Sequence, residues 1–121
     1  MAESIMLDNA KDFAVEIVNL CNHIKENKKE YTLTTQLMRS GTSIGANIHE
    51  SKYAHSTADF VSKMQIALKE CYETDYWLGL FKDTNMITLS EFDSLYRQCS
   101  KIRKLLIASI TTAKSHREND I

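Results

Sequence analysis

The sequence contains no proline and only three glycines in 121 residues. An all-β domain needs turn-forming residues every few positions, so this scarcity excludes a sandwich or a barrel and leaves long helices. Cysteine is also sparse. Cys21, Cys71 and Cys99 are odd in number and show no C-x-x-C spacing. Neither a disulfide framework nor a zinc site is expected; small core thiols in a reducing cytoplasm are. No apolar run approaches the roughly 20 residues of a membrane-spanning helix, and the first residues are too polar for a signal peptide. Net charge is nearly absent: 15 Lys and Arg against 16 Asp and Glu leave −1. The total gives no pull toward nucleic acid or acidic membranes. With 43% hydrophobic and 26% charged residues, the chain has the make-up of one globular domain, residues 1–121.

What is present is helical periodicity. Phe13, Ile17, Leu20, Cys21 and Ile24 recur at three- and four-residue steps, predicting a helix over about 8–26 with Asp8 or Asn9 as its cap. The charged run Glu26 to Glu30 ends it. A second pattern over about 32–54 places Leu33, Leu37, Gly41, Ile44 and Ile48 on one stripe. A third, about 57–83, carries Val61, Met64, Leu68, Cys71 and Leu78, and a fourth, about 90–116, carries Phe92, Leu95, Cys99, Ile102, Leu106, Ile110 and Ala113. Ser56 with Asp59, and Ser90 with Asp93, have capping-box spacing. Four long amphipathic helices with short links predict an all-α, antiparallel up-down-up-down four-helix bundle.

Several residues depart from that pattern. On the third helix Ile66, Trp77 and Leu80 point away from the core stripe, and a helix apolar on two faces in so small a bundle predicts self-association. Asp75 falls within the core stripe of the same helix and needs a partner. On the second helix Arg39, Ser43, Asn47 and Glu50 form a polar strip within about 80° of arc, bordering the apolar stripe. Arg39 is expected to reach Glu73 or Asp75 across the bundle. Gly41 and Gly45, inside a helix, are expected to mark close approach by a neighbouring helix, because each costs about 1 kcal/mol there relative to alanine. The fourth helix conceals a charge asymmetry: six basic residues and no acid between Arg97 and Arg117. Arg97, Lys101 and Lys104 share its outward strip, opposite Leu95 and Leu106, and are the candidate nucleic-acid contacts.

The run from Arg39 to Glu50, preceded by Gln36-Leu37, resembles the signature of the bacterial four-helix bundle family encoded in 23S rRNA intervening sequences, also labelled S23 ribosomal proteins. Asp59-Phe60, Ile66 to Glu70, Glu73-Thr74, Tyr76 to Leu78 and Met86 to Thr88 extend the resemblance over nearly the whole chain. Two departures stand out: His49 where the family usually has Ala, and Ser51 where it usually has Gly, which predicts that the second helix runs on further. The resemblance implies a homo-oligomer, a pentameric ring, with no enzymatic activity. Through the related accessory protein of diversity-generating retroelements it also implies RNA, or a protein partner such as a reverse transcriptase.

The residues favour no catalytic chemistry and no cofactor. A di-iron bundle wants Glu-x-x-His on two helices, and none of His23, His49, His55 and His116 has an acid three positions earlier. The cysteines lie on core stripes rather than beside a base. No glycine loop for phosphates is present. Asn47, His49 and Glu50 could suggest a hydrolytic site, but His49 projects roughly 160° away from Asn47 around the helix.

Overall fold

The computed structural model describes the backbone of residues 2–119 and the side chains of residues 4–116. It contains four helices: α1 (Ala2–Lys28), α2 (Thr32–Ser51), α3 (Thr57–Asp83) and α4 (Leu89–Asn119). No strand occurs among the described residues. Each helix packs on the next and α4 closes on α1, whereas the α1–α3 and α2–α4 backbones face each other across the core without close approach. Cross-helix neighbours run in opposite directions along the chain: Ile17 meets Gly41 and Ala10 meets Gly45, while Glu70 and Glu73 meet Arg39 and Lys63 meets Glu50. The helices are therefore antiparallel neighbours at the corners of a square. Between them lies one core that includes Phe13, Ile17, Leu37, Ile44, Met64, Leu78, Phe81, Ile102 and Leu106.

Helix boundaries follow local hydrogen bonding. The α3 start is capped as its sequence predicts, with the Asp59 amide donating to Ser56 Oγ at 3.0 Å. The α4 start is not. Its capping box is Thr88 with Glu91, the Glu91 amide donating to Thr88 Oγ1 and the Thr88 amide to Glu91 Oε1. The Ser90–Asp93 pair has the same spacing, but it lies inside the first turn. Neither Asp8 nor Asn9 caps α1, which already runs from Ala2. Glu30, expected only to interrupt the pattern, accepts the Leu33 and Thr34 amides, both at 2.9 Å, and so starts α2.

The extension of α2 to residue 54 does not occur. Beyond Ser51 the amides of Lys52, Tyr53 and Ala54 bond three residues back, to His49, Glu50 and Ser51. The ladder tightens and ends, and the Ser51 hydroxyl bonds back to the Ile48 carbonyl at 2.6 Å. The α3 end is a Schellman turn. Asn85 takes a left-handed conformation (φ 60°), its amide bonds the Lys82 carbonyl, and the Met86 amide bonds the Phe81 carbonyl. Asn is one of the few non-glycine residues that enters this region readily.

The two helical glycines of α2 differ. A Cβ on Gly41 would come within 2.9 Å of Ile17 Cγ2, so α1 and α2 approach there closely enough to exclude a side chain. A Cβ on Gly45 would sit 3.6 Å from Ala10 Cβ, an ordinary contact, so the close approach expected at Gly45 is not required there.

Candidate functional site

The polar strip of α2 turns out to be a clasp on α3. Arg39 forks onto Glu70 Oε2 at 3.0 Å and onto Glu73. Glu73 also accepts the Trp77 indole N–H at 3.1 Å. The Ser43 hydroxyl donates to the Arg39 carbonyl at 2.6 Å and the Asn47 amide to the Ser43 carbonyl at 2.8 Å, so both side chains bond their own helix rather than a ligand. Glu50 reaches Lys63 of α3 at 3.5 Å. Beneath them the Ser40 and Thr74 hydroxyls meet at 3.0 Å within the core. Of the two acids expected for Arg39, Glu73 is its partner and Asp75 is not.

Asp75 instead faces α4, where it pairs with Arg103. Both side chains are about five-sixths buried, at 16% and 17% exposure. Arg103 is further held by Ser100 Oγ at 2.9 Å and lies over the rings of Tyr72 and Tyr96 at 5.4 and 5.9 Å. Burial pushes the Asp75 carboxyl above the usual carboxylate range, although Arg103 pulls it back down. Its second oxygen, Oδ1, is buried without a hydrogen-bond partner.

Outside these pairs lies an aromatic surface. Tyr72 is 53% and Tyr76 63% exposed, and Ile66 joins them on the outward face of α3. Tyr96 of α4 is stacked on Phe92, and Lys82 sits 4.4 Å above the Phe92 ring. The three expected interface residues divide. Ile66 is exposed, Leu80 is half-buried, and Trp77 turns inward enough to pack on the core, against the expectation that it points away. Tyr72 and Tyr76, which dominate the surface, were hidden among the polar positions of α3.

Arg97, Lys101 and Lys104 are exposed along α4, with Leu95 and Leu106 buried opposite them. None forms an ion pair among the described residues, whereas Arg39, Lys63, Lys82 and Arg103 all do. The thiols of Cys21, Cys71 and Cys99 are free and buried. Desolvation pushes the Cys21 thiol up to about 11, with Lys25 pulling slightly the other way. Cys99, whose thiol lies against the Cys71 carbonyl, is pushed up further still. Neither is a ready nucleophile. All three should be silent toward Ellman's reagent in the native protein and titrate together once denaturant is added. His49 rests edge-on against Tyr53. No group of three or more metal-ligating side chains occurs among the described residues, and no helix there is long and apolar enough to cross a membrane.

The sequence profile described as 23S rRNA-intervening sequence protein matches residues 2–108, which take in the α2 clasp, the aromatic face and the basic strip. The chain belongs to that family. A crystal structure of a protein of unknown function from the S23 ribosomal protein family of Bacteroides thetaiotaomicron VPI-5482 is 45% identical. The similarity covers 92% of this chain and 99% of that one, with a TM-score of 0.90. No curated protein matches. In this intervening-sequence protein Arg39, Ser40 and Glu50 of the signature fasten α2 to α3, Gly41 admits α1, and Ser43 and Asn47 bond their own helix. The aromatic-face residues Ile66, Tyr72 and Tyr76 and the cations Arg97, Lys101 and Lys104 remain exposed.

Proposed function

We propose that this intervening-sequence protein is a non-enzymatic, cytoplasmic bundle that self-associates and holds RNA along the outward strip of α4. The observation that carries the reading is the division among its cations. Arg39, Lys63, Lys82 and Arg103 are committed to carboxylates, whereas Arg97, Lys101 and Lys104 are unpaired among the described residues and, unlike scattered free lysines such as Lys69, share one exposed strip. One such strip attracts phosphate weakly, since each neutralised phosphate adds a modest, salt-sensitive increment. Assembly multiplies it, because binding at one subunit raises the effective concentration at the next. By resemblance the assembly is a ring of five. A non-enzymatic role is supported by the α2 strip, whose side chains bond carboxylates and a lysine of α3 or the backbone of their own helix.

A second reading, a scaffold for a protein such as a reverse transcriptase, is favoured by the exposed tyrosines of α3. Purification from cells with and without RNase separates the two. RNA that is retained, and partners that disappear after RNase, are expected. Partners that survive RNase would favour the scaffold.

A further inference from the structure

Where α2 passes into α3 the chain leaves the helical path. Over Lys52 to Ala54 its amides bond three residues back instead of four, and α3 begins only at Thr57. Between this turn and the end of α4, around Ala113 and His116, lies a bowl of about 560 Å³. Its titratable lining is entirely basic. Lys52, His55 and His116 are all exposed, and none forms an ion pair among the described residues. The concavities at the other seams hold acids: Glu16 and Glu91 between α1 and α4, Asp8 beside Lys11 between α1 and α2.

Neutral donors complete the lining. Ser56 Oγ accepts the Asp59 amide at 3.0 Å, so its own proton is still available to a ligand. The exposed Thr57 hydroxyl stands next to it in the chain and lines the same bowl. The buried Ser51 has given its proton to the Ile48 carbonyl and serves only as wall. Asp59 spends one carboxylate oxygen on the His55 amide and is not part of the lining. Phe60, half-buried, gives one side an apolar face.

We propose that this bowl binds a phosphate monoester, held by the Lys52 ammonium, the His55 and His116 imidazoles and the hydroxyls of Ser56 and Thr57. A monoester concentrates more charge and more free oxygens at one point than a mid-strand phosphodiester does, and so suits several donors converging from α2, the turn and α4. Hydrogen bonds from an ammonium to such an oxyanion are among the stronger ones available. The bowl is wider than a phosphate alone, and Phe60 offers the esterified group an apolar surface. Two sources carry this chemistry, a small phosphorylated metabolite and the 5′ end of an RNA strand. The bowl shares no residue with the Arg97, Lys101 and Lys104 strip, so the two sites stand or fall separately.

The test is a titration with adenosine 5′-monophosphate at constant pH, followed by the imidazole proton resonances of the four histidines. Those of His55 and His116 should shift and saturate. His23 at the α1–α4 seam and His49 at the α1–α2 seam should stay still as internal references. Adenosine, which lacks the phosphate, should move none of them. Lys52→Ala/His116→Gln alters two exposed positions, so its circular dichroism should be unchanged while its affinity for the nucleotide falls about tenfold or more. The Arg97→Ala/Lys101→Ala/Lys104→Ala chain should bind the nucleotide as wild type does, whatever happens to its RNA binding. On that chain, competition by a short RNA with a 5′-phosphate but not by the same RNA with a 5′-hydroxyl would assign the bowl to strand ends. Competition by neither would assign it to a small phosphomonoester. Equal competition by both would overturn the preference for a monoester. A shift spread over all four histidines, one produced equally by adenosine, one that does not saturate, or a folded Lys52→Ala/His116→Gln chain with wild-type affinity would overturn the site.

Discussion

Gly41→Leu is expected to lower the melting temperature by about 12 °C, the equivalent of about 3 kcal/mol at roughly 4 °C per kcal/mol for a chain of this size. The cause is steric. A Cβ alone at Gly41 would meet Ile17 Cγ2 at 2.9 Å. That methyl branches from Cβ of a fully buried side chain and has no free rotamer to retreat into. Three further carbons must displace α1 from α2. The two other glycines are the controls. Nothing lies within 4 Å of a Cβ at Gly79, so Gly79→Ala should raise stability by about 1 kcal/mol through helix propensity alone. Gly45→Ala should be neutral to slightly stabilising. Thermal melts followed by circular dichroism read all three, and equal losses at the three positions would contradict the account of the α1–α2 contact.

Arg103→Ala is the second large effect, a loss of about 3 kcal/mol near neutral pH. Removing one member of a buried ion pair costs roughly 3–5 kcal/mol, and the sixth of each side chain that remains in water places this pair at the lower end. The loss should depend on pH with a definite sign. Burial already raises the Asp75 carboxyl, and without Arg103 nothing opposes that rise. A carboxyl whose folded pKa lies above its unfolded value destabilises the fold as pH climbs through that interval and ceases to do so below it. The gap between variant and wild type should therefore narrow as pH is lowered from neutral, because the orphaned Asp75, its carboxyl raised by burial, takes up a proton and ceases to be a buried charge. Adding Asp75→Asn to Arg103→Ala should recover part of the neutral-pH loss by removing the buried charge. Melts across pH test this, and a gap that widens in acid would contradict it.

The same two residues show where the sequence was legible and where it was not. The four helices could be read from periodicity because the apolar positions of each fall on one stripe and no proline interrupts them. Gly41 could be read because a glycine on an apolar helical stripe implies a close neighbour. The partner of Arg39 was only half legible. Glu73 and Asp75 are two residues apart and therefore lie on opposite flanks of α3, so only one can face α2. Periodicity does not say which flank meets α2 and which meets α4. The three-dimensional arrangement gives Glu73 to Arg39 and Asp75 to Arg103. Glu70 escaped notice because it sits among charges that look solvated, yet its side chain is only 12% exposed. The α4 cap was misplaced because Ser90–Asp93 and Thr88–Glu91 share one spacing, and only backbone geometry chooses between them. The tyrosines of α3 were missed for a related reason: at polar positions Tyr is unremarkable, and its weight appears only when Tyr72, Tyr76 and Tyr96 are seen on one side of the bundle.

The most direct test of the central claim is the salt dependence of RNA affinity for the assembled wild type and for the Arg97→Ala/Lys101→Ala/Lys104→Ala chain. If the α4 strip holds RNA, wild-type affinity falls steeply with salt. The triple variant, unchanged in helicity and assembly, then binds more weakly at low salt, with a log–log slope shallower by about 2. Binding that ignores salt, or a triple variant indistinguishable from wild type, would contradict it.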